Sequence, residues 1–193
     1  MPRTPSARAH EQVLKAAARL FAERGLDATS MDAIAAAAGV SKATIYKHWQ
    51  DKDALCIEVL SRLRSDPAGM PPPSAGDVRG EVVALLEHSV RERRSGVQNR
   101  MMPHLVAYAC RNPEFAKAWR TLVMEPSRAR LAELLKRAIA EGQLRPGLDL
   151  DLSAALLTGP MMYRRVLGLM HAKTPHDMAQ RVVAAFWRAH EMK

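Results

Sequence analysis

Between Met31 and Trp49 the segment MDAIAAAAGVSKATIYKHW leaves little freedom in how its two halves pack. The first half is a run of small residues with one large apolar anchor, Ile34, and Ala35 is small where a following helix must cross closely. Gly39 admits a turn with φ > 0, Val40 plugs the corner, and Ile45 faces back into the core. A small residue, a glycine four positions later and a branched apolar residue six after that meet the steric requirement of a helix-turn-helix. An ordinary helical hairpin has the same spacing, so the second helix must decide. Ser41 is placed to cap that helix. Lys42 and Thr44 offer basic and polar groups on its first turn, Ala43 a methyl group suited to a thymine methyl, and Tyr46, Lys47 and His48 close it with hydrogen-bond donors. Asp51 can cap the next helix, and Lys52 stands at that helix's positive end, where an anion is welcome. A short helix with donors at both ends suits a duplex groove better than an enzyme cleft.

The flanks extend the pattern. Val13, Leu14, Ala17, Leu20 and Phe21 form one apolar stripe, which predicts a helix over about 7–24 ended by Gly25. Thr29 and Ser30 are both capping types ahead of Met31, with Asp32 spaced for a capping box from Thr29. Residues 1–7, with two prolines and Arg3, read as a flexible arm beside the DNA-binding unit. The formal net charge is +9, which points to a polyanionic partner, but the basic excess is spread along the chain and does not locate the contact.

Over residues 9–55 the sequence resembles the N-terminal domain of the tetracycline-repressor (TetR) family of bacterial transcription regulators. The residues that carry the likeness are LKAAARLFAERGLDATSMDAIAAAAGVSKATIYKHWQDKDAL. Ala43 stands where many members have glycine, and Trp49 where most have phenylalanine. The resemblance implies that Ser41, Lys42, Ala43, Thr44 and Lys47 face the major groove, and that Thr29, Tyr46, His48 and Lys52 hold phosphates. It also implies a DNA-binding domain over 1–52, a linking helix and Pro-rich loop over 53–76, and a C-terminal ligand-binding and dimerisation domain over 77–193.

The C-terminal half reads as helices throughout, so the expected fold is all-α, with about nine helices in all. They are expected over about 51–64, 77–94, 97–111, 114–141, 149–170 and 175–190. Residues 65–76, SDPAGMPPPSAG, cannot be helical. Pro103 is expected near the first turn of its helix, and Pro126 to kink or divide the long one. The last two helices, with wide apolar faces, are what the family uses to form a homodimer through a four-helix bundle. A small-molecule effector pocket, implied by the family, would be lined by Met101, Met102, His104, Tyr108, Trp119, Met161 and Tyr163; plain core packing is the competing reading of each.

No Walker loop, GxGxxG, GxSxG or HExxH occurs, and no catalytic residues, cofactor or metal are expected. Cys56 and Cys110 read as reduced, buried thiols of a cytoplasmic protein, with no apolar signal core or membrane span. The function this favours is a ligand-responsive repressor that binds a palindromic operator as a dimer. An activator of the same fold is the near alternative. A helical enzyme or small-molecule carrier that has lost operator binding is the distant one, and it predicts damage among the DNA-facing residues, of which none is seen.

Overall fold

The computed structural model describes residues 5–63, 77–92, 96–167 and 177–192. Every regular element among them is helical: α1 (Pro5–Arg24), α2 (Met31–Ala38), α3 (Lys42–Tyr46), α4 (Lys52–Leu63), α5 (Val78–Glu92), α6 (Gly96–Arg111), α7 (Pro113–Ala118), α8 (Glu125–Ala140), α9 (Leu150–Val166) and α10 (Met178–His190). A π-helical stretch, Trp119–Met124, joins α7 to α8, so these form one unbroken helical run. Counting that run once gives nine helical stretches among the described residues, as the sequence leads one to expect.

The chain divides into two compact units, 1–64 with 95–123, and 65–94 with 124–193. In the first, α1 packs on α2, α4 and α6. Its core holds Val13, Ala17, Phe21, Ile34, Ile45 and Leu55 with no exposed surface, joined by Met101 and Leu105 from α6. The cut differs from the functional boundaries drawn at 52 and 76, because α6 and α7 pack with the N-terminal helices. In the second unit, α5 and α9 each pack on α8 and α10. Val78, Val82, Leu135, Leu157 and Val183 are fully buried there, beside Phe186 and Trp187. The Glu81 side chain on α5 is 9% exposed and pairs with Arg137 and, at 3.7 Å, with Arg130 of α8, so a buried charge is neutralised from the neighbouring helix.

Several local expectations change. Helix α1 begins at Pro5, at the first-turn position proline tolerates, which leaves residues 1–4 of the expected arm outside the described residues. Pro103 lies in the middle of α6, not near its start. The long helix is not broken at Pro126 but widens just ahead of it: proline has no N–H and its ring crowds the carbonyl four residues back, and the π-helical turns lie just before it, with Pro126 in the first turn of α8. Cys56 is buried, and burial pushes its thiol pKa up, but Cys110 is exposed. The Pro-rich stretch 65–76 falls outside the described residues, and α9 and α10 are described only to Val166 and from Met178. No described helix is long and apolar enough to cross a membrane.

Candidate nucleic-acid interface

Helix α2 ends as its sequence dictates. Gly39 adopts φ 66°, its N–H donates to Ala36 O at 3.2 Å, and Val40 N–H donates to Ala35 O at 3.1 Å. This pair of bonds, closed by a left-handed glycine, stops the helix and turns the chain sharply. Ser41 then caps α3, its Oγ accepting from Thr44 N–H at 3.2 Å and lying 2.9 Å from Thr44 Oγ1. Ile45 is the buried residue of α3, fully enclosed. Ser41, Lys42, Ala43, Lys47 and His48 are exposed and Thr44 is half-buried, while Tyr46 keeps 53% of its surface in solvent. Tyr46 is therefore no packed core ring. Its hydroxyl, with the flanking amines and imidazole, forms a polar rim around a helix anchored from beneath by one apolar side chain.

Lys42 is not idle. Its Nζ donates to Asp32 Oδ2 of α2 at 2.5 Å, and this bond, reinforced by the carboxylate's charge, raises the ammonium's pKa above its ordinary value. Both side chains are more than half exposed, so the pair exchanges readily with a phosphate or a base edge. The capping box expected from Thr29 and Asp32 does not form. Ser30 is the cap of α2, accepting from Ala33 N–H at 3.1 Å, and Asp32 faces Lys42 instead. Thr29 is 2% exposed and donates its hydroxyl to Gly25 O at 2.6 Å, closing the turn after α1.

Lys52 is also held internally. Its Nζ donates to Leu26 O and sits 5.7 Å from the centre of the Tyr108 ring on α6. Tyr108 in turn donates to Asp53 Oδ1 at 2.8 Å, and burial, followed by that bond to a carboxylate, pushes its pKa up to about 12. Arg111, also on α6, pairs with Asp27 in the turn between α1 and α2. The start of α4 and the turn before α2 are thus tied to the end of α6. We expect Lys52→Met and Tyr108→Phe each to lower the unfolding free energy by about 1 kcal/mol in urea melts without DNA. A lysine serving phosphates alone would leave the melt unchanged.

Below the far end of α3 lies a cluster that the sequence alone does not single out. Glu58 of α4 accepts from Trp49 Nε1–H at 2.8 Å and meets His10 Nε2 of α1 at 2.7 Å. The His10 ring lies 4.5 Å from the Trp49 ring and edge-on to His48 at 5.2 Å. Burial alone would raise the Glu58 pKa, but the bonds from His10 and Trp49 and the nearby charge of Arg62 outweigh it and hold the carboxyl below the usual range. The available signal was the indole of Trp49, since a buried indole N–H requires an acceptor.

The residues set out for an effector pocket fall in different units. Met101, Met102 and Tyr108 are buried in the first unit and Trp119 packs against its core, whereas His104 is exposed. Met161 is buried in the second unit, and Tyr163 keeps 61% of its surface exposed.

Two family models match the chain: the bacterial regulatory proteins of the tetR family over residues 13–59, and the tetracyclin repressor-like C-terminal domain over 72–186. The uncharacterized HTH-type transcriptional regulator YdeS of Bacillus subtilis is 32% identical over 158 residues, covering 82% of this chain and 78% of that protein. The HTH-type transcriptional repressor KstR2 of Mycolicibacterium smegmatis is 28% identical, covering 78% of this chain and 76% of its own. The solved structure of the flavonoid-responsive regulator FrrA superposes with a TM-score of 0.70 at 27% identity, covering 96% of this chain and 98% of that one. A glycine-turned helix-turn-helix with an exposed polar rim, set in a chain that matches both family models, makes this protein a member of the TetR family, a DNA-binding transcription regulator.

Proposed function

We propose that the protein is a ligand-responsive repressor that binds a two-fold symmetric operator as a homodimer, with α3 of each subunit in one major-groove half-site. The observation that carries this reading is the division of labour on α3. One fully buried isoleucine holds the helix, while Ser41, Lys42, Ala43, Tyr46, Lys47 and His48 remain exposed around it. Ser41, Lys42, Ala43, Thr44 and Lys47 are the groove-facing set, and Tyr46 and His48 are the phosphate contacts at the helix's far end. Thr29 and Lys52 support the docking surface from below, because their polar groups bond within the fold.

Dimerisation through the last two helices is supported by α9, whose outward face carries large apolar residues exposed in the subunit (Leu152, Leu156, Tyr163 and, at its end, Leu167), and by the exposed small residues Ala185 and Ala189 of α10. The repressor sense and the response to a small molecule are supported by relatives, one named a repressor and one a flavonoid-responsive regulator. Effector binding would favour a dimer whose two α3 helices no longer match the half-site spacing, a shift of population that needs no chemistry.

Selection from a pool of random-sequence duplexes at physiological salt tests the reading. We expect a two-fold symmetric sequence to be enriched, with half-sites about one helical turn apart or a multiple of it. Lys47→Ala should weaken that duplex about tenfold or more, and random DNA much less. Failure of any duplex to be enriched by the wild-type protein rejects the operator assignment.

A further inference from the structure

The recognition helix has five residues and cannot hold its own direction in space. Ile45 anchors it to the core, and the orientation of its far end depends on Trp49, three residues past the helix and 3% exposed. A phenyl ring there would pack by shape alone. The indole adds an N–H that must find an acceptor, and Glu58 provides it at 2.8 Å from α4. The other oxygen of the same carboxylate meets His10 of α1 at 2.7 Å, and the His10 ring lies against both Trp49 and His48. One carboxylate thus ties α1, α4 and the segment leaving α3 into a single geometry, and its most exposed member, His48, belongs to the proposed phosphate-contacting edge.

We propose that Glu58 is a positioning residue for operator recognition, acting through His10 and Trp49 to set the direction of α3 and of His48 without touching DNA. The inference rests on α3 being the reading helix. The groups facing Glu58 are His10 from α1, Trp49 from the segment after α3, and Arg62 from its own helix at 3.6 Å. Arg62 is mostly exposed and adds charge but no direction. Glu58→Gln removes the charge and turns one of the two acceptor atoms into a donor, so the bond to His10 survives only if His10 takes the tautomer whose Nε2 accepts, and it is then no longer charge-assisted. Trp49→Phe keeps a packed ring and removes the bond. His10→Gln keeps a donor for Glu58, and His10→Leu does not.

The experiment measures affinity by fluorescence anisotropy for the duplex selected by the wild-type protein and for a random duplex, at a temperature where urea melts show every variant folded. Glu58→Gln, Trp49→Phe and His10→Leu are each expected to weaken the selected duplex about tenfold and random DNA less than twofold, with His10→Gln within about twofold of wild type. The indole N–H resonance of Trp49 should shift in Glu58→Gln. A purely structural role would lower the melting midpoint and leave the ratio of the two affinities unchanged, and that result overturns the proposal. Should Glu58→Gln fail to fold, Trp49→Phe and the two His10 variants decide by the same ratio. Loss of all duplex selection by the wild type would instead reject the reading helix itself, and this inference with it.

Discussion

Leu156→Glu is expected to leave the protein monomeric at micromolar concentration and to weaken its binding to the selected duplex a hundredfold or more. The reason lies on α9. Leu152, Leu156, Tyr163 and Leu167 are 58%, 49%, 61% and 55% exposed in the subunit. Their spacing of four, seven and four residues puts them within about 60° of one another around the helix axis. Gly159 lies on the same stripe, and a Cβ built on it meets nothing within 4 Å, so a second backbone can approach closely there. On α10, Met178 and Val182 are half-buried against the subunit's own core beside Val183, Phe186 and Trp187, while the small residues Ala185 and Ala189 are exposed. Burying the exposed half of one leucine contributes about 1 kcal/mol, and a two-fold interface counts each residue twice. Eight large side chains therefore contribute on the order of 10 kcal/mol, a large share of what a dimer needs to persist at micromolar concentration. A glutamate near the centre of such a face brings two carboxylates together out of water, which a dimer cannot accommodate. A monomer then reads one half-site, and the second subunit's contribution to affinity disappears. Light scattering after size exclusion and anisotropy on the selected duplex check both halves. Because Leu156 is half-exposed in the subunit, the circular dichroism of the variant should match wild type, and a dimeric variant would place the interface elsewhere.

How much of this was legible in the chain depends on the range of the forces involved. Local rules held at the turn into α3. Gly39 was read as a φ > 0 turn and has φ 66°, and Ser41 was read as a cap and accepts from Thr44 N–H. Both depend on backbone groups within four residues. Where two local solutions competed, sequence could not choose: Thr29 and Ser30 are equally good caps in isolation, and the choice was made by the Gly25 carbonyl, which takes the Thr29 hydroxyl. Long-range partners were out of reach. Lys52 has every local attribute of a phosphate ligand, and its bond to Leu26 and its place over Tyr108, 26 and 56 positions away, could not be read beside it. The cluster around Glu58 joins residues 48 apart, with only the indole to hint at it. Methionine serves a core and a pocket alike, so the composition of α6 does not choose between them; Met101 lies in the first unit's core and Met102 is buried.

The same distinction between local propensity and distant support governs the second large effect, expected for Ile45→Ala. Five residues of isolated helix are far below the length that is stable in water, so α3 exists because Ile45 and Trp49 are held by the rest of the unit. Ile45 has no exposed surface and packs in one core with Ile34, Phe21 and Leu55. Truncation to alanine removes three carbons from a closed site, with an expected loss of about 3 kcal/mol of unfolding free energy in urea melts. The effect on DNA should exceed what global stability predicts. At temperatures where the variant is still mostly folded, α3 has lost its one buried anchor and samples frayed states, and each frayed state must be reordered on binding. We expect the selected duplex to be weakened at least thirtyfold while the weak affinity for random DNA, which needs charge but little geometry, changes less than threefold. Ile45→Val separates the two contributions. It removes one carbon, keeps the branched shape, and should lose about 1 kcal/mol with DNA affinity near wild type. If Ile45→Ala retains the selected duplex within twofold while its melt shifts as predicted, the reading surface is not carried by α3, and the residues from Ser41 to His48 are not the ones that meet the groove.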